Sequence, residues 1–266
     1  MRIEEWRKAM ARTARAAVGS VAVVGLAVAL AACSDATPTG EPAAGTTTVD
    51  PATAGTIDMQ VRYAGPAPTA QPLNMRSAPQ CAAAHTEPVL DPSLVVQDGR
   101  LVNAFVWIKK GFEGKTFTAP TDPVTMDQKG CMYVPHVVGA MVSQPVTFLN
   151  SDPEPHNVHG RPEVVTPWNF MTSRQGSSRS ITFDRSEVAV PVGCDIHPWM
   201  RGYVGVVDHP YFGVTPASGA VTLAKVPPGT YTVGVWHETL GTQEQAVTLA
   251  PRGAVKLEFV FPAGKP

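Results

Sequence analysis

Short apolar segments broken by turn residues constrain this chain more than any other feature of its sequence. Pro occurs 26 times and Gly 23 times among 266 residues, and both disfavour the interior of a helix. Alternating and β-branched runs recur between them, for example at 56–63, 145–150 and 229–237. Outside the N-terminal leader, no 3.6-residue apolar period persists over three turns. We therefore expect an all-β fold.

Charge excludes one large class of function. The formal net charge is −1, and charged residues make up 16% of the chain against roughly 25% in an average domain. A strongly basic nucleic-acid binder would need an excess of Lys and Arg to neutralise phosphates. No phosphate-binding loop, paired-acid motif or Ser-His-Asp pattern is present either. We therefore expect no nucleic-acid partner, no small-molecule substrate and no enzymatic activity.

The N-terminus has the pattern of a targeting segment. Five basic residues precede an apolar stretch from Ala16 to Ala32, and the stretch ends in Leu30-Ala31-Ala32-Cys33, which resembles a bacterial lipobox. We expect residues 1–32 to be a signal peptide and Cys33 to be lipidated. The Thr-, Ala- and Pro-rich segment 33–54 would be a disordered tether. The protein would then be exported and lipid-anchored on the periplasmic or cell-surface side. A signal-anchor helix is the alternative.

The remaining chain is too long for a single sandwich of about 100 residues. A boundary near residues 208–215 separates a part that contains every later Cys from a tail without Cys. The tail contains Pro227-Pro228-Gly229-Thr230-Tyr231, a turn that resembles the carboxypeptidase regulatory-like, transthyretin-like sandwich. We therefore expect a first domain at 55–208 and a second, small β-sandwich at 209–266. The resemblance implies a structural or docking role for the second.

One short segment concentrates soft metal ligands. Cys194, His197 and Met200 follow one another at three-residue spacing. Thiolate, imidazole and thioether together favour copper, and a blue-copper site needs a second His in its ligand plane. That second His is expected from Pro155-His156-Asn157-Val158-His159, which follows a predicted strand ending at Asn150.

The two segments together resemble the cupredoxins. The sequence "PHNVH", followed some 35 residues later by "C-x-x-H-P-x-M", is similar to amicyanin-like and plastocyanin-like members. The resemblance implies a Greek-key β-sandwich over 124–207, with residues 56–109 supplying its first strands. It also implies one type 1 copper site, one-electron transfer and a redox partner protein. The implied ligands are His156, Cys194, His197 and Met200.

The resemblance also implies roles for the residues around the ligands. Asn157 matches the position that braces the ligand loop. His136 and His159 are candidates for supporting the site from outside. We expect the ring edge of His197 to lie near the surface beside Trp199, as an exit for electrons. With Cys33 assigned to lipid, Cys81 and Cys131 remain as a pair, for which we expect a disulfide; a second thiolate metal site is the alternative.

Other interpretations of the same residues stay open. Cys194 and His197 could be a buried thiol beside a core histidine, a zinc site, or a thiol nucleophile with its base. A non-redox copper-handling or adhesion lipoprotein with a structural metal competes with the electron carrier. A copper oxidase or nitrite reductase would need a second histidine cluster, to which only His136 and His159 could contribute.

Overall fold

Almost all of the regular structure is β-strand. The computed structural model describes residues 46–263, and these contain 18 strands and one five-residue helix. The expectation of an all-β chain is confirmed. The predicted signal peptide, Cys33 and the first part of the predicted tether lie outside the described residues.

The elements fall into three groups along the chain. The first comprises β1 (Gly55–Ala64), α1 (Pro79–Ala83), β2 (Val96–Gln97), β3 (Arg100–Leu101) and β4 (Phe105–Lys110). The second comprises β5 (Val124–Gln128), β6 (Tyr133–Val134), β7 (Val137–Met141), β8 (Val146–Asn150), β9 (His156–Gly160), β10 (Trp168–Thr172), β11 (Ser178–Ile181), β12 (Glu187–Gly193) and β13 (Arg201–Val207). The third comprises β14 (Phe212–Val214), β15 (Ala220–Val226), β16 (Gly229–His237), β17 (Gly241–Leu249) and β18 (Ala254–Pro262).

The second group forms a two-sheet sandwich, here called the site sandwich. One sheet has the order β10-β9-β12-β13-β7 and the other has β11-β8-β5-β6. Strands from both sheets contribute to one core, with Met126 and Phe148 from one side and Val158, Val192 and Val204 from the other. Alternate residues of β5 and β8 point into this core, as the period of two along a strand requires.

The first and third groups together form another sandwich, here called the terminal sandwich. Its sheets have the orders β15-β1-β3-β2, with β18 also on β1, and β14-β4-β16-β17. The sheets therefore do not divide at 208/209, where the sequence predicted a boundary. Residues 56–109 do not supply the first strands of the site sandwich, because β1 pairs with β15 and β18 and β4 pairs with β14 and β16.

The two sandwiches pack through the sheets that contain β4 and β13. β4 is buried on both faces, because its apolar run Phe105-Val106-Trp107-Ile108 contacts two cores. Phe105 and Trp107 cluster with Val137 of β7 and Val207 of β13. All described residues belong to one compact unit. A strand covered on both sides explains why this run does not alternate with polar residues.

The end of the predicted tether is packed against the terminal sandwich. The Thr47 amide donates to the Thr116 carbonyl at 2.6 Å, and Val49 packs against the core of that sandwich. Residues 46–54 are therefore part of the fold, because backbone pairing and an apolar contact hold them. No helix among the described residues is both long enough and apolar enough to cross a bilayer.

Candidate metal centre

His156, Cys194 and His197 meet at one end of the site sandwich. His156 is the first residue of β9, whereas the other two lie in the loop that joins β12 to β13. Their potential ligand atoms all lie within 4.8 Å of one another, and all three residues are buried. The two Nδ1 atoms are 3.0 Å apart, and Sγ of Cys194 lies 3.9 Å from Nδ1 of His197.

Backbone hydrogen bonds fix the loop that carries two of these residues. β12 and β13 form a hairpin in which Gly193 pairs with Arg201. The Cys194 amide donates to the Met200 carbonyl at 3.2 Å, and the Met200 amide donates to the His197 carbonyl at 2.9 Å. Met200 is fully buried in the same core cluster as Cys194. The loop therefore places Cys194, His197 and Met200 by its own backbone geometry.

Asn157 joins this loop to the neighbouring strand. Its Oδ1 accepts the Asp195 amide at 2.6 Å, and its Nδ2 donates to the Asp195 carboxylate at 2.9 Å. Asp195 is the residue after Cys194, so Asn157 holds the chain directly beside the thiol. The structure thus places Asn157 where a brace for the loop would lie.

A buried carboxylate orients His156 from the outside. Nε2 of His156 donates to Oδ2 of Asp152 at 2.9 Å. Asp152 in turn accepts the amides of Gly130 and Cys131 at 2.6 and 2.7 Å. Because Nε2 is occupied in this way, Nδ1 faces His197 and Cys194. A carboxylate on the outer nitrogen is the usual support for a metal-binding histidine.

The ionisable groups of the site are strongly coupled. Burial alone would lower the pKa of His156, but hydrogen bonds to Asp152 and Cys194 outweigh burial and raise the pKa to about 9. Burial alone would raise the pKa of Cys194, yet its hydrogen bond with His156 and nearby amides lower it. Burial and the adjacent charge of His156 lower the pKa of His197. The thiol of Cys194 and the imidazole of His156 therefore each favour the charged form of the other.

Cys81 and Cys131 form a disulfide, as predicted, and it lies against the site. Their Cα atoms are 5.6 Å apart, and Sγ of Cys81 is 3.5 Å from Nε2 of His197. His197 is only 2% exposed, so the expected surface edge is wrong. Cys81 in α1 lies in the insertion between β1 and β2, which was not expected to cover the site.

Trp199 packs beside His197 in the same loop. Its ring centroid is 5.2 Å from that of His197, and its indole N–H donates to the Cys131 carbonyl at 3.1 Å. Trp199 is half-buried and lines a cavity of about 380 Å³ together with His136, Tyr203 and Glu238.

The two other candidate histidines have different neighbours. Nδ1 of His159 is 2.9 Å from Asp195, beside the ligand loop, and hydrogen bonds from His159, Asn169 and Asn157 lower the pKa of Asp195 to about 2. His136 instead pairs with Glu238 of the terminal sandwich. Within residues 46–263, every cluster of three potential ligands contains His156 or His197, and none includes His136 or His159.

The donors present fit a metal ion with soft and borderline character. Two imidazole nitrogens and one thiol converge, and both outer nitrogens face other groups, namely Asp152 and the disulfide. Such a donor set suits copper or zinc. His156, Cys194 and His197 would hold the ion, with the buried Met200 in the same loop.

Sequence reasoning missed two contributors to this site. Asp152 precedes His156 by four residues. A carboxylate this close in sequence to a proposed histidine ligand could have indicated that it supports the ring of that histidine. Cys81 and His197 are in contact although they are 116 residues apart in the sequence. No local sequence pattern predicts this contact.

Comparisons with known proteins find partial likenesses only. No family model matches the chain, and no curated protein matches it. Among solved structures, a Cu-containing nitrite reductase (NirK) from Thermus scotoductus SA-01 is 27% identical over 33% of this chain, with a TM-score of 0.29. This chain spans 23% of that reductase. A variant of amicyanin in its Cu(I) form is 26% identical, covering 34% of this chain and 85% of its own, also at 0.29.

Proposed function

We propose that this protein binds one copper ion as a type 1 site and exchanges single electrons with a redox partner protein. The ligands would be His156, Cys194 and His197, with Met200 as a weaker fourth. The convergence of two imidazoles and one thiol, whose ligand atoms lie within 4.8 Å of one another, is the observation that carries the proposal. The proposal includes export and a lipid anchor at Cys33, as the N-terminal sequence predicts.

The protein's contribution would be a rigid and dry environment. Copper in such a site supplies a Cu(I)/Cu(II) couple, whose potential depends on the ligands and on hydrogen bonding around the sulfur. Asp152 fixes the ring of His156, and Asn157 fixes the chain beside Cys194. Burial of all three donors excludes water. A site that moves little between the two oxidation states favours electron exchange over substrate chemistry.

An absorption titration tests the proposal directly. Residues 34–266 are titrated with Cu(II) beside the Cys194→Ser variant. We expect an intense visible thiolate-to-copper band that saturates at one equivalent and is absent from the variant. His156→Ala should lose the band, whereas His159→Ala, three residues further on, should keep it. Zinc binding with no such band at any copper concentration would overturn the proposal.

A copper-handling role is the second candidate, and one feature favours it. His197 is enclosed by Cys81 and Trp199 and is not an exposed edge. An electron carrier should be reduced by ascorbate and reoxidised by ferricyanide over many cycles with copper retained. Release of Cu(I) to a chelator at each reduction would favour the handling role instead.

A further inference from the structure

A second set of potential ligands shares His197 with the centre described above. Sγ of Cys81, Sγ of Cys131 and a nitrogen of His197 lie within 4.8 Å of one another, and all three residues are buried. In the folded chain the two sulfurs are joined as a disulfide. Because a disulfide sulfur is not a thiolate, this set of residues cannot bind a metal ion through thiolates while the disulfide is intact.

The distance from sulfur to nitrogen is that of two ligands on one ion. Zn–S and Zn–N bonds of about 2.3 and 2.0–2.1 Å at a tetrahedral angle separate the donors by about 3.5 Å. Sγ of Cys81 and Nε2 of His197 are 3.5 Å apart. Nε2 and Nδ1 lie on different sides of one ring, and Nδ1 faces Cys194 and His156. His197 therefore has a separate nitrogen for each set.

The cysteines would stay adjacent when the disulfide is opened, because other contacts hold both sides. Nε2 of His85, which lies shortly after α1, donates to the Gly130 carbonyl at 2.7 Å. On the other side, Cys131 donates its amide to Asp152 at 2.7 Å and accepts from the indole of Trp199 at 3.1 Å. None of these contacts requires the bond between the sulfurs.

We propose that the reduced chain has a second metal site formed by Cys81, Cys131 and Nε2 of His197, and that disulfide formation abolishes it. The site would take Zn²⁺ or Cu⁺, the ions that thiolate and imidazole donors prefer. Two electrons and two protons convert the disulfide to two thiols, and the ion then displaces both protons. In the cell, a dithiol would supply these two electrons and two protons and would itself be oxidised to a disulfide. The proposal rests on the proposed function only in that His197 is shared.

Cobalt(II) provides a test that does not depend on copper. The Cys194→Ser variant removes the thiol of the first centre. It is unfolded, reduced with a phosphine and refolded; the phosphine becomes a phosphine oxide with oxygen from water. Titration with Co(II) should give one equivalent of a tetrahedral thiolate-to-metal band. The same variant refolded with its disulfide intact should show none.

Two matched variants in the same background test the assignment. His197→Ala should abolish the band, whereas His159→Ala, which removes an imidazole that belongs to none of the ligand clusters among the described residues, should keep it. Absence of the band from a reduced sample with native far-UV circular dichroism would overturn the proposal, as would a band that survives His197→Ala. If the reduced variant does not refold, slower alkylation of Cys81 and Cys131 in the reduced full chain with Zn²⁺ is the expected result. Unchanged alkylation would overturn it.

Discussion

The ring of His156 in the candidate centre is fixed by a hydrogen bond on the side that faces away from Cys194 and His197. Nε2 of His156 is bonded to Asp152, which also accepts two backbone amides from the turn at 130–131. Asp152 therefore fixes both the tautomer and the orientation of the ring. The direction of Nδ1 towards Cys194 follows from this one carboxylate.

Replacing Asp152 by Asn should weaken metal binding without removing a ligand. Asn keeps the shape and one carbonyl oxygen but loses the charge that fixes His156. Loss of such an outer partner costs about 10–100-fold in metal affinity, and we expect that drop in copper affinity by competition with a chelator. Asp184→Asn, at an exposed pair with Arg185, is the control. Unchanged affinity in Asp152→Asn would show that the backbone alone orients His156.

The residues that can be predicted are those with a short-range chemical pattern. Cys194, His197 and Met200 form a soft donor set within seven positions, and the structure brings Cys194 and His197 together with His156. The burial of His197 could not be predicted, because the residue that covers it, Cys81, lies in an insertion without hydrophobic periodicity. Contacts between distant segments leave no local signal.

At the scale of elements, one pair of glycines determines how the sandwiches approach each other. Gly139 of β7 and Gly205 of β13 are directly paired across the two parallel strands. A Cβ atom on Gly205 would lie 2.5 Å from a ring atom of Phe105, and one on Gly139 would lie 2.8 Å from the same atom. The ring of Phe105, on β4, thus occupies space that only these glycines leave open.

Gly205→Ala should therefore destabilise the protein through this contact. Overpacking of a filled core costs about 1–3 kcal/mol, and we expect a loss of that size in urea unfolding. The double variant Phe105→Leu with Gly205→Ala should lose less than the sum of the single variants, because the smaller side chain vacates the space. Strict additivity would mean that the steric contact with Phe105 is not the cause.

The existence of most strands could be predicted, but their partners could not. The alternation in 56–63 predicts a strand, and β1 occupies Gly55–Ala64. Nothing local predicts that it runs parallel to β18, pairing Thr56 with Ala254. Sequential strands pair most often, which favours assigning residues 56–109 to the neighbouring site sandwich. The register with the far end of the chain overrides that preference.

At the scale of the molecule, the two sandwiches are also joined by polar groups that are almost buried. His136 precedes β7 of the site sandwich and pairs with Glu238, which follows β16 of the terminal sandwich. His237, at the end of β16, is 1% exposed and accepts the Thr239 amide at Nδ1. Burial, followed by the nearby His136, lowers the pKa of His237 to about 4.

The depressed pKa of His237 predicts a loss of stability in mild acid. Between pH 6.5 and about 4 the unfolded chain binds a proton at this residue and the folded chain does not. Unfolding is therefore favoured progressively as the pH falls through this window, by up to about 3 kcal/mol. Urea midpoints measured from pH 7 to pH 4.5 should fall in the wild type. In His237→Gln the fall should be shallower; an equal slope would contradict this assignment.

The pairing of β1 with β18 has a consequence for the order in which the chain can fold. Because synthesis proceeds from the N-terminus, β1 is made first, and β18, with which it forms its longest pairing, is made almost last. The strands of the site sandwich, β5 to β13, are contiguous and complete well before that moment. The site sandwich, with the candidate centre, can therefore assemble while the terminal sandwich is still open, and it then provides the surface on which the two ends of the chain later close.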